Sequence, residues 1–266
     1  MKKLLIIEGN TDEDSLSIEK FKGLSYVPLF TKAIKSIGDY EIDALYPTRE
    51  DFKQVSIEEL KKYDGILWTG SALSVNESAK YVDPQILLCK NAFESHVPIY
   101  GSCWGLQVAV VAAGGKVSAF KKGYEVGIMK ELNVTKEGKE HYLFNNKSGA
   151  ISSFCVHRDY IEELPTNSTL LASNEFCPVQ ALEINYKGGI FVGVQYHPEF
   201  DSAQMLSTYK RLEKKLIQSG YFKNNDGYKN EIRALEEELV NNKKAFYNNE
   251  KYRLLEISNW LENLEK

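Results

Sequence analysis

The chain has 266 residues, 43% hydrophobic and 26% charged, which is enough apolar material for one large core with an appendage. Its formal charge is −4 and its pI about 5.7, with basic residues in short pairs (Lys121–Lys122, Lys214–Lys215, Lys243–Lys244), so it lacks the electrostatic footprint of a nucleic-acid binder. No apolar stretch approaches the roughly 20 residues a membrane helix needs, and the run Leu4 to Ile7 stops at Glu8, too early for a signal peptide.

Along the chain, Leu4 to Ile7 reads as a strand buried on both faces. Residues 10–24 are polar and irregular, and a loop is expected there. Val27, Phe30, Ala33, Ile34 and Ile37 recur at helical spacing, with Gly38 as the stop. Strands are expected at Tyr40–Leu45 and Gly65–Trp68. A helix should begin near Asp83-Pro84 and lead into the strand Val97–Tyr100. This alternation predicts a doubly wound, mostly parallel α/β sheet with helices on both faces.

A helix follows at roughly 104–113, then an additional small β-rich part in which short β-rich pieces dominate from 116 to 196, including Gly127–Val134, Ala150–Val156, Val179–Ile184 and Ile190–Tyr196, then a helix over 203–218. Residues 221–266 lack proline and are rich in Lys, Glu and Asn. Their apolar residues (Ile232, Leu235, Leu239; Leu254, Leu255, Ile257, Leu261) fall at helical intervals on either side of the polar stretch Asn241–Lys251. We read a main domain over 1–220 and a C-terminal helical extension over 221–266, serving as a cap on the domain or as a surface for a partner or a second copy.

Cysteines at 89, 103, 155 and 177 include no C-x-x-C pair and do not form a disulfide framework, so a cytoplasmic protein with reduced thiols is expected. Cys103 differs from the other three. In Val97-Pro98-Ile99-Tyr100-Gly101-Ser102-Cys103-Trp104-Gly105 a buried strand enters a Gly-x-Cys-x-Gly turn and then at once a helix, the cysteine form of a nucleophile elbow. The helix N-terminus sets a partial positive charge beside the sulfur, which favours thiolate over thiol. Cys89, Cys155 and Cys177 read as core residues.

A cysteine nucleophile needs a base, and the base an orienter. Of His96, His141, His157 and His197, the last ends an apolar strand and precedes Pro198-Glu199; proline fixes the turn so that Glu199 can reach back to the ring. His157, in Cys155-Val156-His157-Arg158-Asp159, is the rival base. The N–H of Trp104 and the backbone of Gly70, in Thr69-Gly70-Ser71, are the natural oxyanion donors. Cys155-x-His157 is the one pair with metal-ligand spacing and it has no visible companions, so neither a metal nor a cofactor is expected.

These motifs together resemble the class I (triad) glutamine amidotransferase family. The elbow is similar to its G-x-C-x-G-x-Q, with Gln107 at the glutamine position, and Val194-Gln195-Tyr196-His197-Pro198-Glu199 to its V-Q-[FY]-H-P-E. Glu125-Val126-Gly127, Val156-His157-Arg158-Asp159 and Ser173-Asn174-Glu175-Phe176-Cys177-Pro178 further resemble the amidotransferase half of GMP synthetase, over roughly residues 1–202. The resemblance implies a flavodoxin-like sheet and a Cys103–His197–Glu199 triad. It also implies oxyanion donors at Gly70 and Trp104, and Gln107, Glu125 and His157 at the amino-acid end of the substrate.

The activity so implied is glutamine-amide hydrolysis through a γ-glutamyl thioester, with ammonia passed to an acceptor or a synthetase partner. The alternatives are a γ-glutamyl hydrolase or peptidase acting alone, or a non-catalytic scaffold. Two departures stand out. Thr69-Gly70-Ser71 replaces the family's G-G-P, and no S-G-G-x-D-S or G-x-x-x-x-G-K-[ST] loop for ATP phosphates is present. Stand-alone bacterial GMP-synthase-like proteins have tails similar to Ile257-Ser258-Asn259-Trp260-Leu261.

Overall fold

The computed structural model describes residues 1–77, 79–121, 123–129, 131–149, 151–241 and 249–265. Lys122, Ala150 and most of the polar stretch between the tail helices, Lys243–Lys244 included, lie outside them.

The first strand, β1 (Lys3–Ile7), explains the sheet. Its side chains alternate between two apolar clusters, Leu4 and Ile6 in one, Leu5 and Ile7 in the other. Both faces are therefore buried, as the unbroken apolar run requires. On one side β1 pairs in parallel with β2 (Glu41–Leu45), on the other with β3 (Gly65–Trp68). β3 pairs in parallel with β4 (Ile99–Ser102), and β4 with β12 (Gly189–Val194). The sheet continues antiparallel through β11 (Ala181–Tyr186), β10 (Ser168–Ser173) and β7 (Asn133–Val134), in the order β2-β1-β3-β4-β12-β11-β10-β7. Two antiparallel pairs make the smaller β-rich part: β5 (Lys116–Ala119) with β9 (Asp159–Glu163), and β6 (Glu125–Met129) with β8 (Ser153–His157).

One face of the large sheet packs on α4 (Ala79–Ser95) and α5 (Trp104–Ala112), through residues such as Leu88, Ala92, Leu106 and Val110. The other packs on α2 (Tyr26–Ile37) and on a tail helix, α10 (Leu255–Asn263), through Phe30, Ile34, Ile257, Trp260 and Leu261. The tail reaches the sheet because Gly65 makes room for it. A Cβ at Gly65 would come within 2.8 Å of Trp260 Cη2 and Leu264 Cδ1.

Three readings of the sequence are corrected. Residues 12–20 are helical, α1 (Asp12–Lys20), not loop. Thr11 caps it by accepting from the Asp14 N–H at 3.1 Å, and three acidic residues occupy its first turn, where the helix dipole favours them. Ile18 is its buried residue, so the chain carries little apolar periodicity there. The helix expected at Asp83-Pro84 begins earlier, at Ala79, so Pro84 lies inside it beyond the first turn, where its missing N–H gives up one intrahelical bond. The strands β5, β9 and β10 fall inside the β-rich stretch expected over 116–196 but at none of its named pieces, because each is only partly buried and its apolar pattern is broken.

The remaining helices are the four-residue α3 (Ile57–Leu60), α6 (Lys136–Glu140), α7 (Ser202–Gln218), α8 (Asn225–Asn241) and the one-turn α9 (Glu250–Arg253). None among the described residues is long and apolar enough to cross a membrane. All four cysteines are free and buried.

Candidate active site

The carboxyl ends of β1, β3, β4 and β12 meet at one rim of the sheet, the place where open α/β folds bind ligands. Gly70 follows β3, Cys103 follows β4 and His197 follows β12.

Cys103 is the N-cap of α5 and has φ 50° and ψ −100°, a strained backbone for a residue with a side chain. Its N–H donates to Val194 O at 2.7 Å, which ties the elbow to β12. The flanking glycines are needed for close packing: a Cβ on Gly105 would meet Trp68 Cβ at 2.7 Å, and one on Gly101 would meet the Phe191 ring at 2.9 Å. Gln85, from α4, braces the turn from below. Its Oε1 accepts from the indoles of Trp104 (2.8 Å) and Trp68 (3.1 Å), and its Nε2 donates to Gly9 O (3.2 Å).

His197 is 1% exposed, and its ring stacks on Phe200 with centroids 4.1 Å apart. Its Nδ1–H donates to Glu199 Oε1 at 2.7 Å; its Nε2 is buried without a hydrogen-bond partner. Burial opposes a charge on this ring, but the Glu199 carboxylate and the neighbouring Cys103 outweigh it and push the imidazole up to about 10. The backbone N–H of His197 donates to Phe154 O at 2.8 Å, fixing the strand end against β8. Gly70 lies against the same ring, where a Cβ would approach His197 Cε1 to 2.9 Å.

His157 is built differently. Its Nδ1 donates to Asp159 O at 3.0 Å and its Nε2 meets Glu125 Oε2 at 2.8 Å, so both ring nitrogens face acceptors. Glu125 also accepts from Asn174 (2.6 Å) and Gln180 (2.8 Å). Burial works against its charge, yet His157 and these donors hold the Glu125 carboxyl below its usual range. Glu125, His157 and Cys177 place potential metal-ligand atoms within 4.8 Å of one another. The three are engaged with other protein groups, Cys177 Sγ donating to Val179 O at 3.2 Å.

A cavity of about 320 Å³ opens over Cys103 and His197, its wall including Gln107, His157, Asp159, Tyr26, Arg211 and Lys215. The structure thus brings Cys103, His197, Gln107 and His157 to one cavity, with Glu199 behind His197 and Gly70 beside it. Glu125 does not line that cavity and stands behind His157.

Several neighbours escaped sequence reasoning. Ser102 donates to Glu199 Oε1 at 3.1 Å. Tyr26, in the cavity wall, has its phenol kept protonated by burial, with Cys103 and Glu199 adding to the effect. Glu8, at the end of β1, accepts from the N–H groups of Asn10 and Val27, and burial pushes its carboxyl up to about 7. The one available signal was position, since Glu8 and Ser102 sit at strand ends that share the rim.

The family model described as Glutamine amidotransferase class-I matches residues 23–216. The chain belongs to that family. Class-I amidotransferases hydrolyse amides with a cysteine nucleophile, and this chain is such an enzyme. It is 30% identical, over 98% of its own length and 92% of the relative's, to a gamma-glutamyl-L-1-hydroxyisopropylamide hydrolase of a Pseudomonas species. It is 29% identical over 71% of its length to the glutamine-hydrolysing GMP synthase of Hamiltonella defensa, of which the match spans 34%. In fold it is similar to a glutamine amido transferase from Methylobacillus flagellatus, with a TM-score of 0.69, 17% identity and coverage of 98% of this chain and 95% of the other.

Proposed function

We propose that the enzyme hydrolyses γ-glutamyl amides through Cys103, His197 and Glu199, glutamine being the smallest member of that substrate class. The observation that carries this reading is the contrast between the two cavity histidines. His157 has both ring nitrogens occupied, whereas His197 is oriented by Glu199 and keeps Nε2 unpartnered for proton exchange.

Cys103 Sγ attacks the amide carbonyl carbon with its proton already held by His197, whose charge the Glu199 carboxylate maintains through neutral pH. The developing oxyanion is received by the Trp104 N–H, free of an intrahelical partner at the first position of α5, and by the Gly70 backbone. The C–N bond breaks as His197 returns the proton to the leaving amine, leaving a γ-glutamyl thioester. Water, deprotonated by His197, then releases glutamate and the thiol. Gln107 and His157 contact the glutamyl end, and Glu125 holds His157 in place.

A γ-glutamyl amide larger than glutamine is favoured because the Pseudomonas hydrolase matches almost end to end, tail included, whereas the GMP synthase match spans about a third of that protein. Similarity to GMP synthase supports a second reading, in which glutamine is the substrate and its ammonia goes to an acceptor enzyme. The test measures amine release from γ-glutamyl-isopropylamide and ammonia release from glutamine, with wild type and Cys103→Ala. Wild type should release isopropylamine, and the variant should be inactive on both compounds. Turnover by Cys103→Ala would refute the mechanism. Turnover of glutamine alone would favour the second reading.

A further inference from the structure

The tail reaches the histidine turn without lining the cavity. Arg253, at the end of α9, is 8% exposed and donates from Nη1 to Pro198 O at 2.5 Å. Glu256, in the first turn of α10, is 0% exposed and accepts the Tyr196 hydroxyl at 2.5 Å. These two contacts fall on the residues immediately before and after His197. We propose that Arg253 and Glu256 are positioning residues for the His197–Glu199 pair, so that the tail is a working part of the catalytic centre.

The contacts are themselves held rigidly. Glu256 is fixed from its other side by Lys147, 2.5 Å away and almost fully buried. Asn259, one turn further along α10, donates to Leu143 O and Asn145 O, both at 2.9 Å, which sets the height of the helix on the domain. Arg253 is close enough to Asp201, Glu250 and Glu199 for their charges to act on it. The tail thus grips the carbonyl of Pro198 and the phenol of Tyr196. The Glu199 carboxylate must meet His197 Nδ1 across the turn between them. A shift of the turn by about 1 Å moves a general base out of line and costs on the order of 10–100-fold in rate. Stabilisation of the fold alone would not require the contacts to converge on the two flanks of one histidine.

The inference rests on His197 and Glu199 acting as proposed above, and the experiment separates the two. In the full chain, Arg253→Met, Arg253→Lys and Tyr196→Phe are compared with wild type. The readouts are kcat and KM for L-γ-glutamyl-p-nitroanilide, and the rate of Cys103 alkylation by iodoacetamide, followed by peptide mass. Circular dichroism confirms folding. Arg253→Met should lower kcat on the order of 10–100-fold with little change in KM, and change the alkylation rate. Tyr196→Phe should show a smaller loss of the same kind. Arg253→Lys, which keeps a donor and a charge, should recover much of the loss.

Folded variants with wild-type kcat and alkylation rate would overturn the inference. So would a loss confined to KM, or no recovery by lysine. Should Arg253→Met fail to fold, Tyr196→Phe decides, and an unchanged kcat there overturns it. Cys103→Ala turning over substrate would instead defeat the proposed function, whatever Arg253 does.

Discussion

Ser102 donates its hydroxyl hydrogen to Glu199 Oε1 across 3.1 Å, the same oxygen that receives the His197 ring at 2.7 Å. The residue before the proposed nucleophile therefore helps hold the residue proposed to orient the base. The parallel pairing of β4 with β12 makes this contact, since Ser102 stands opposite Val194, just upstream of the histidine turn. Removing a hydrogen bond to a buried carboxylate costs about 1.5–3 kcal/mol. Ser102→Ala should lower stability by that amount and reduce kcat, and Glu199→Gln should cost far more in rate, on the order of 10⁴-fold. Denaturant melts and steady-state rates on a γ-glutamyl amide check both. A Ser102→Ala enzyme with wild-type stability would show that Glu199 is held by other means.

The state of His197 makes stability depend on pH in a defined direction. Its pKa rises from an ordinary 6.5 to about 10 in the folded protein, with burial opposing the charge and Glu199 and Cys103 prevailing. A raised pKa means that the native state binds the proton more tightly than the unfolded chain does. The stabilisation is therefore complete below about 6.5 and is lost as pH rises through about 10. Comparing melting temperatures of wild type and His197→Gln isolates this contribution, because other titrating groups are common to both. The advantage of wild type should be widest near pH 6 and should narrow steadily toward about pH 10. An advantage that grows with pH would mean the ring is neutral in the native protein.

Gly70 provides a steric test of the same ring. A Cβ there would come within 2.9 Å of His197 Cε1 and 3.2 Å of the Tyr26 ring. The backbone of Gly70 has no positive φ, so alanine is not excluded by conformation. Gly70→Ala should fold, push the imidazole off its line to Cys103 and lower kcat roughly 10–100-fold. Slower alkylation of Cys103 alongside unchanged circular dichroism would agree. Full activity in this variant would place the working histidine elsewhere.

The parts legible in the sequence were those whose cause is local. Leu4 to Ile7 and Gly65–Trp68 are short and continuously apolar, so burial on both faces identified them as strands. Gly101 to Gly105 and His197-Pro198-Glu199 could be recognised because an elbow and a proline turn are each written within a few residues. What stayed hidden depends on partners distant along the chain. Ser102 reaches Glu199 across 97 residues, and Gln85 gathers two indoles from different elements. Residues 12–20 were misread for another reason, since a helix held by its cap and first-turn charges has little apolar pattern to detect. The tail was legible as helices, but nothing in its periodicity showed that Arg253 and Glu256 would meet the histidine turn.

Lys147 and Glu256 form an ion pair at 2.5 Å, with side-chain exposures of 1% and 0%. Taking two charges out of water is costly, and the pair is tolerated because each partner compensates the other. Lys147→Met would leave Glu256 buried with Tyr196 as its remaining partner in this group, and should destabilise the fold by about 3–5 kcal/mol. Replacing both, as Lys147→Met with Glu256→Leu, removes the uncompensated charge and should restore much of that stability, since apolar substitutes for buried pairs are often neutral or better. Activity should not follow stability. The double variant loses the acceptor for the Tyr196 hydroxyl, so kcat should stay depressed while the melting temperature recovers. Recovery of both together would mean that the tail contributes only stability at this point.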